Sequence, residues 1–414
     1  MLKKKSILDK LFLCIILNLI PSAMLGVFHI SNKIYTILYG IVYIIQTILL
    51  FLATKNAYSR APKKIVILLV TMILNCGFAI TYTGLKFGNI DYNEIIFSFS
   101  FILNILIMII GVYKEEIKKV ELIRFLENMS KLGIIASLIN ILLNYKIIIK
   151  LSTLTNSYNA KLSSFFPNRN QFGTFMLMMI ISISLLLYLK IERKYYISCI
   201  IFIINLVLSM SRNAILSLVI YGIILIYLKY IKGNIKFSKS KIVVFYAILI
   251  LLILISILIL KNQQFMKIIE TLFIRADSLE SGSGRFELWK NGFFIFANFN
   301  PFFGVGRFKA IQINKELLGS DLDYFHSIYV EKLACHGIIG ILTLYLLFKI
   351  VWKKIAYSNI DKNIKDILKA AFICFLIISM FETTTRFSIG YADTMSLIFF
   401  FTFPILVSNL KNDN

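Results

Sequence analysis

Long apolar segments without any charged residue recur along the whole chain. The clearest covers residues 242–260, nineteen residues with no charge, close to the ~20 that a helix needs to cross a lipid bilayer. Backbone groups inside hydrocarbon find no water, so such a segment has to satisfy its hydrogen bonds as a helix. Hydrophobic residues form 58% of the 414-residue chain and charged residues 16%. These values exclude a soluble globular enzyme and an intrinsically disordered chain.

The apolar segments predict an all-α polytopic membrane protein that forms a single integral membrane domain over residues 1–414. About twelve transmembrane helices are expected, the first of them a retained signal anchor. They are predicted near residues 11–31, 34–54, 64–84, 94–113, 131–149, 170–189, 194–210, 212–229, 241–261, 327–348, 367–384 and 391–410.

The chain is strongly basic, with a net charge of +24 from 45 Lys and Arg against 21 Asp and Glu. Most basic residues flank the apolar segments, which indicates cytoplasmic loops that follow the positive-inside rule and not nucleic-acid binding. Twelve spans then place both termini in the cytoplasm and leave one long extracytoplasmic loop at 262–326. Phe286, Trp289 and Phe293 follow helical spacing within this loop, so we expect it to be partly helical.

Metal and cofactor sites are not indicated. The five cysteines all lie within apolar segments, and neither a CxxC nor an HExxH motif occurs. A disulfide framework, a zinc site or another cofactor is therefore not expected. The pair Asp321 and Asp323 could bind a cation weakly.

The nine arginines are distributed differently from the lysines, because only three of them fall in predicted inner loops. The other six fall on predicted outer segments: Arg169, Arg212, Arg275, Arg285, Arg307 and Arg386. A planar guanidinium binds phosphate oxygens in a bidentate way, which an ammonium group does not. The outer arginines therefore indicate a phosphorylated ligand on the outer side. Ordinary ion pairs and snorkelling at the interface are the alternative explanation.

Three of the outer residues are the strongest candidates for a site. Arg212 lies between two apolar segments with almost no loop, where a charge indicates a functional site more than a helix cap. Arg285 follows a Gly/Ser stretch, and Trp289 lies one helical turn later, so the two could bind a phosphate and a sugar. His326 stands where the long loop enters the tenth span, and it is equally a candidate general base and an interfacial residue.

Five short motifs resemble, in their order, those of the O-antigen polymerase and ligase superfamily. They are the Pro-Asn segment 165–173, the Ser-Arg turn 208–212, the Gly-Arg-x-x-Leu-Trp element 284–289, the Pro-x-x-Gly-x-Gly element 300–306, and the His-Ser-x-Tyr segment 326–329 followed by Gly337 and Gly340. The resemblance covers roughly residues 160–345. Ser327 departs from the pattern, because many members have Asn at this position.

The resemblance implies a GT-C-like, metal-independent glycosyltransferase in the bacterial cytoplasmic membrane, with an extracytoplasmic active site. The donor would be an undecaprenyl-pyrophosphate-linked oligosaccharide, and a chain-length regulator and a flippase are further candidate partners. Arginines would stabilise the pyrophosphate leaving group, and the histidine would deprotonate or orient the acceptor hydroxyl. The implied catalytic residues are His326, Arg212 and Arg285, and the implied substrate-binding residues are Arg169, Asn170, Trp289, Arg307 and Tyr329.

Three activities are compatible with these residues. A polymerase that joins lipid-linked repeat units of a capsule or O-antigen is favoured. A ligase that transfers the glycan to lipid A–core or another surface acceptor needs nearly the same residues. A lipid-linked sugar flippase is less expected, because the predicted spans are almost free of charge through their middle and the unusual residues gather at the outer face.

Overall fold

The computed structural model describes residues 6–54, 62–149, 162–228, 285–319, 324–382 and 391–411, and almost all of them are helical. The helices are α1 (Ile7–Phe28), α2 (Asn32–Thr54), α3 (Lys63–Phe87), α4 (Tyr92–Ile105), α5 (Lys119–Ile149), α6 (Arg169–Leu189), α7 (Arg193–Leu208), α8 (Arg212–Ile226), α9 (Arg285–Asn298), α10 (Arg307–Glu316), α11 (Ile328–Ala356), α12 (Lys362–Phe381), α13 (Tyr391–Leu397) and α14 (Phe403–Val407). The π-helical turn Leu106–Ile110 follows α4, and Ile398–Thr402 joins α13 to α14. Two strands of two residues each, β1 (Ile117–Lys118) and β2 (Leu410–Lys411), pair in parallel.

Seven of the described helices are long and apolar enough to cross a membrane. They are α1, α2, α3, α4 with its π-helical turn, α5, α6 and α11. The predicted all-α polytopic membrane protein is thereby confirmed, whereas the number of twelve spans and the GT-C architecture stay predictions. The predicted ninth span, 241–261, lies outside the described residues.

The fifth helix is longer than its predicted span, 131–149, because it begins at Lys119. Its first part is amphipathic: Leu122, Phe125 and Met129 are buried, while its charged residues are types that favour helix. The helix therefore begins before the span that hydropathy predicts, because charged residues limit the predicted span but not the helix.

Helix α6 forms the centre of the bundle and packs against α5, α7, α8 and α12. In its membrane-spanning part 72% of the residues are buried, the highest share of the seven candidate spans. Met176, Met178 and Met179 lie in the middle of this helix and are buried. Their unbranched side chains fill irregular gaps between the surrounding helices. The close packing around α6 therefore fixes the position of its first residues.

Helices α6, α8 and α11 begin at the same end of the bundle, which we call the loop end. Asn168, Ser211 and Ser327 cap these three helices, and each side chain accepts a hydrogen bond from a backbone N–H of the first turn. A Cβ added to Gly173 would lie 2.7 Å from the Ser211 Cβ. The turn before α8 therefore lies directly against the first turn of α6.

The opposite end of the bundle is held together by the β1–β2 pair and by ion pairs. The Lys190 ammonium group lies 3.2 Å from a Glu127 carboxylate oxygen and 2.8 Å from a Glu192 oxygen. Hydrogen bonds from Lys190 and Lys194 hold the pKa of the Glu192 carboxyl below its usual range. These contacts connect the end of α6 to α5 at the exposed surface.

Helix α11 is broken at Gly337, where φ is 63° and ψ is −162°. The Pro-x-x-Gly-x-Gly segment fills the break. The Ile338 N–H donates to the Pro301 carbonyl at 2.9 Å, and the Gly306 N–H donates to the Cys335 carbonyl at 2.9 Å. The backbone groups that the break frees are thus satisfied by this segment, as buried backbone requires. We call residues 300–306 the wedge.

Replacing Gly304 in the wedge by alanine is expected to destabilise the protein by about 3 kcal/mol or more. The φ of this residue is +73°, and an added Cβ would lie 2.2 Å from the Cys335 carbonyl carbon. Gly77→Ala is the matched control, because a Cβ there meets nothing within 4 Å. Thermal unfolding of the two purified variants in detergent measures the difference, and equal midpoints would contradict the role given to the wedge.

Candidate functional site

Glu382, which ends α12, joins three segments at the loop end. Its Oε1 accepts a hydrogen bond from the Arg285 Nη2 at 3.0 Å and another from the Asn170 Nδ2 at 3.0 Å. Its Oε2 lies 3.7 Å from the His326 Nδ1. The Glu382 side chain is only 13% exposed, so these contacts are shielded from bulk screening. One carboxylate therefore brings together an arginine, an amide and an imidazole that lie far apart along the chain.

His326 is held by the start of α11. Its backbone has a φ of 50°, in the left-handed region that non-glycine residues rarely adopt. Phe325 on one side is buried, and Ser327 on the other caps α11. The Tyr324 ring packs edge-on against the imidazole, with 4.4 Å between ring centroids. The Nδ1 atom is buried and has no hydrogen-bond partner among the described residues, and a Glu382 carboxylate oxygen lies 3.7 Å from it.

The Pro-Asn segment fixes the beginning of α6, where Arg169 and Asn170 lie. The Asn140 carboxamide oxygen accepts a hydrogen bond from the Ser164 N–H at 3.0 Å, and the Ser164 hydroxyl donates to the Ala136 carbonyl at 2.8 Å. Both contacts attach Ser164, the residue directly before the segment, to α5. The direction of the first turn of α6 is thereby set, and Asn170 reaches Glu382.

Arg212 is the first residue of α8, directly after its cap Ser211. The turn packs closely on Gly173, which follows Asn170 by three residues. This packing places Arg212 beside the beginning of α6. Arg169 and Arg212 therefore begin neighbouring helices at the end of the bundle where Arg285 meets Glu382. This arrangement concentrates positive charge at the loop end.

Trp289 follows Arg285 by one turn of α9, as the sequence predicted. Its ring contacts Phe286 edge-on, with 5.5 Å between centroids, and lies 6.1 Å from the ring of Phe381, the residue before Glu382. The indole N–H is buried and has no hydrogen-bond partner among the described residues. Because this N–H lies close to the contacts of Glu382, it is suited to donate a hydrogen bond to a ligand oxygen.

Arg307 and Tyr329 make other contacts. The Arg307 Nε lies 3.4 Å from the Glu331 Oε1, and its guanidinium lies over the Phe97 ring at 5.1 Å. The Tyr329 hydroxyl donates to the Leu376 carbonyl at 2.9 Å. Both polar groups are thus used between helices, and the structure does not bring them into contact with Glu382. The buried partner of Arg307 favours a structural role for this arginine.

Glu382 itself is the residue that sequence reasoning missed. Its spacing of four residues from Arg386 indicates only an ion pair between the two, and Arg386 lies outside the described residues. An acidic residue at the end of an apolar span was the available signal, since such residues mark functional sites. Arg275, Asp321 and Asp323 lie outside the described residues as well. Within the described part of the chain, no group of three or more metal-binding side chains is present.

Comparison with known protein families gives a match over part of the chain. The family model that describes O-antigen ligases matches residues 197–345, a region that includes Arg212, Arg285, His326 and the wedge. This match supports the O-antigen polymerase and ligase superfamily that the five motifs predicted. Members of this family are membrane glycosyltransferase-like enzymes. No curated protein matches the chain.

Proposed function

Because residues 197–345 match the O-antigen ligase family, we propose that the chain is a GT-C-like, metal-independent polymerase of lipid-linked repeat units. It joins undecaprenyl-pyrophosphate-linked oligosaccharides into a capsule or O-antigen at the extracytoplasmic face of the bacterial cytoplasmic membrane. The observation that carries this proposal is the meeting of Arg285, Asn170 and His326 at Glu382.

The arginines stabilise the leaving group. Breaking the bond between the sugar and the pyrophosphate leaves negative charge on the phosphate oxygens, and preorganised cationic donors stabilise that charge. Arg285 uses Nη2 for Glu382, and its other N–H groups can reach a phosphate. Arg169 and Arg212 add positive charge from the neighbouring helix ends.

His326 accepts the proton of the acceptor hydroxyl. As that oxygen forms its bond to the anomeric carbon, the carbon–oxygen bond to the pyrophosphate breaks on the opposite side, so the configuration inverts. Glu382 acts as a positioning residue, because a carboxylate beside Nδ1 holds the imidazole in one orientation and stabilises the imidazolium. The 3.7 Å separation shortens to a hydrogen bond when the substrate is bound.

Replacing Glu382 by glutamine is expected to lower kcat by about 100-fold while the KM for the lipid-linked donor changes little. The amide can still accept a hydrogen bond from Arg285, but it carries no charge to stabilise the imidazolium. Because Glu382 acts through His326, adding Glu382→Gln to His326→Ala is expected to cost almost nothing further.

Glu287→Gln is the matched control, because this acidic side chain is exposed on α9. Its kcat should equal that of the wild type. Independent, additive losses from Glu382→Gln and His326→Ala would contradict the positioning role and leave Glu382 as a purely structural residue.

Reconstitution tests the proposed function. Purified protein in lipid nanodiscs is incubated with single repeat units on undecaprenyl pyrophosphate, in the presence of EDTA. A ladder of longer lipid-linked glycans is expected, with release of undecaprenyl pyrophosphate. Absence of the ladder with EDTA and its return with a divalent cation would contradict metal independence, and absence in both would contradict polymerisation.

A ligase is the second candidate, and the description of the matched family favours it. The chemistry at the donor is the same, since an acceptor hydroxyl again displaces lipid pyrophosphate. The two activities differ in the acceptor, which is a second lipid-linked repeat unit for a polymerase and a different surface molecule for a ligase. Adding lipid A–core to the reconstituted reaction distinguishes them.

A further inference from the structure

An open groove lies between the turn that joins α3 to α4 and the outward face of α10. Its volume is ≈650 Å³, within the range of roughly 300–1,000 Å³ that is typical of ligand sites. Thr83 and Glu94 are among the residues that line it. The Thr83 hydroxyl donates to the Val305 carbonyl of the wedge at 2.7 Å, so the groove adjoins the wedge. The elements that line it differ from those that meet at Glu382.

The wall formed by α10 carries an ordered row of polar side chains. The Lys309 ammonium donates to the Gln312 Oε1 at 3.0 Å, and the Gln312 Nε2 donates to the Glu316 Oε1 at 2.8 Å. The Lys309 ammonium also lies 4.1 Å from the centroid of the Phe87 ring, which lines the facing wall. Ala310 and Ile313 point the other way, into a buried apolar cluster. The buried face of α10 therefore packs against this cluster, and the polar row lines the groove.

The charges that line the groove nearly balance. Lys309 and Lys315 are opposed by Asp91, Glu94 and Glu316. Such a surface does not select a polyanion, in contrast to the arginines at the loop end. Alternating donors and acceptors beside an aromatic ring suit a ligand whose hydroxyl groups both donate and accept and whose C–H faces are apolar. A saccharide chain has this chemistry.

We propose that this groove is a saccharide subsite, which holds an uncharged part of the glycan away from the bond that is being formed. The proposal rests on the glycan transfer proposed above. It assigns recognition of pyrophosphate and recognition of the sugar chain to two different surfaces of the molecule.

Binding to the purified full-length protein tests the subsite. The probe is a radiolabelled repeat-unit oligosaccharide, released from its lipid and pyrophosphate by mild acid. The double variant Lys309→Ala with Gln312→Ala is expected to bind this probe about tenfold more weakly or worse, because it loses the polar row. Inorganic pyrophosphate is expected not to displace the probe from the wild type.

The matched control is Lys290→Ala with Asn298→Ala, a lysine and an amide that are exposed on α9. This control should bind the probe as the wild type does. Unchanged binding by the Lys309/Gln312 variant, or displacement of the probe by pyrophosphate, would overturn the subsite. Failure of the proposed function has a different signature, since the wild type would then bind the oligosaccharide but form no ladder from lipid-linked units.

Discussion

Replacement of His326 by alanine is expected to slow glycan transfer by about 10²–10⁴-fold, the range that a positioned general base contributes. The imidazole lies beside Glu382 and is the group that accepts the hydroxyl proton in the proposed mechanism. Without it, the acceptor hydroxyl must lose its proton to water. The initial rate of ladder formation from lipid-linked repeat units, at matched protein concentration, measures this loss.

His29→Ala is the control for this variant. His29 is an exposed histidine that caps the end of α1, and its replacement should leave the rate unchanged. A His326→Ala protein that folds, binds donor and retains more than a tenth of the wild-type rate would contradict the role of general base. Equal losses in both variants would indicate a general effect on the membrane protein.

Replacement of Arg285 by alanine is expected to reduce the rate by about 10²–10³-fold, the size of effect seen when one preorganised donor to a developing anion is removed. Arg285→Lys should recover only a small part of this rate. Lysine keeps the charge, but it lacks the planar guanidinium with which arginine can donate to Glu382 and to a phosphate at the same time. The rates of both variants, measured with the same lipid-linked donor, test the stabilisation of the leaving group.

Lys290→Ala, an exposed cation on the same helix as Arg285, is the control for charge alone. Its rate should match the wild type. Full activity of Arg285→Lys would show that charge without bidentate geometry is sufficient. Full activity of Arg285→Ala would remove this arginine from the mechanism altogether.

The motifs in the sequence assigned Asn170, Arg285 and His326 to one candidate site, and the structure brings these three side chains to Glu382. The sequence did not predict Glu382, whose partners are separated from it by 56 to 212 residues and share no local pattern with it. Arg307 and Tyr329 were chosen for their residue types and positions in the motifs. Whether such a polar group faces a substrate or another helix depends on packing, which the sequence alone does not give.

The fold was predicted in kind but not in detail. Hydropathy predicts apolar helices reliably, because bilayer thickness sets their length. It cannot show that α11 is broken at Gly337 or that the wedge satisfies the freed backbone groups, since both depend on a contact between distant segments. It also does not show that the fifth helix extends beyond the span predicted at 131–149, because charged residues end a hydrophobic segment without ending a helix.

Analysis of lipid-linked glycans in a strain that lacks the gene tests the central claim most directly. Lipids are extracted, and the glycan left on undecaprenyl pyrophosphate is sized and assigned to one leaflet. The proposed polymerase predicts single repeat units that accumulate on the outer leaflet. Long lipid-linked chains that never reach a surface acceptor would indicate a ligase, and single units trapped on the cytoplasmic side would contradict both enzymes and indicate a flippase.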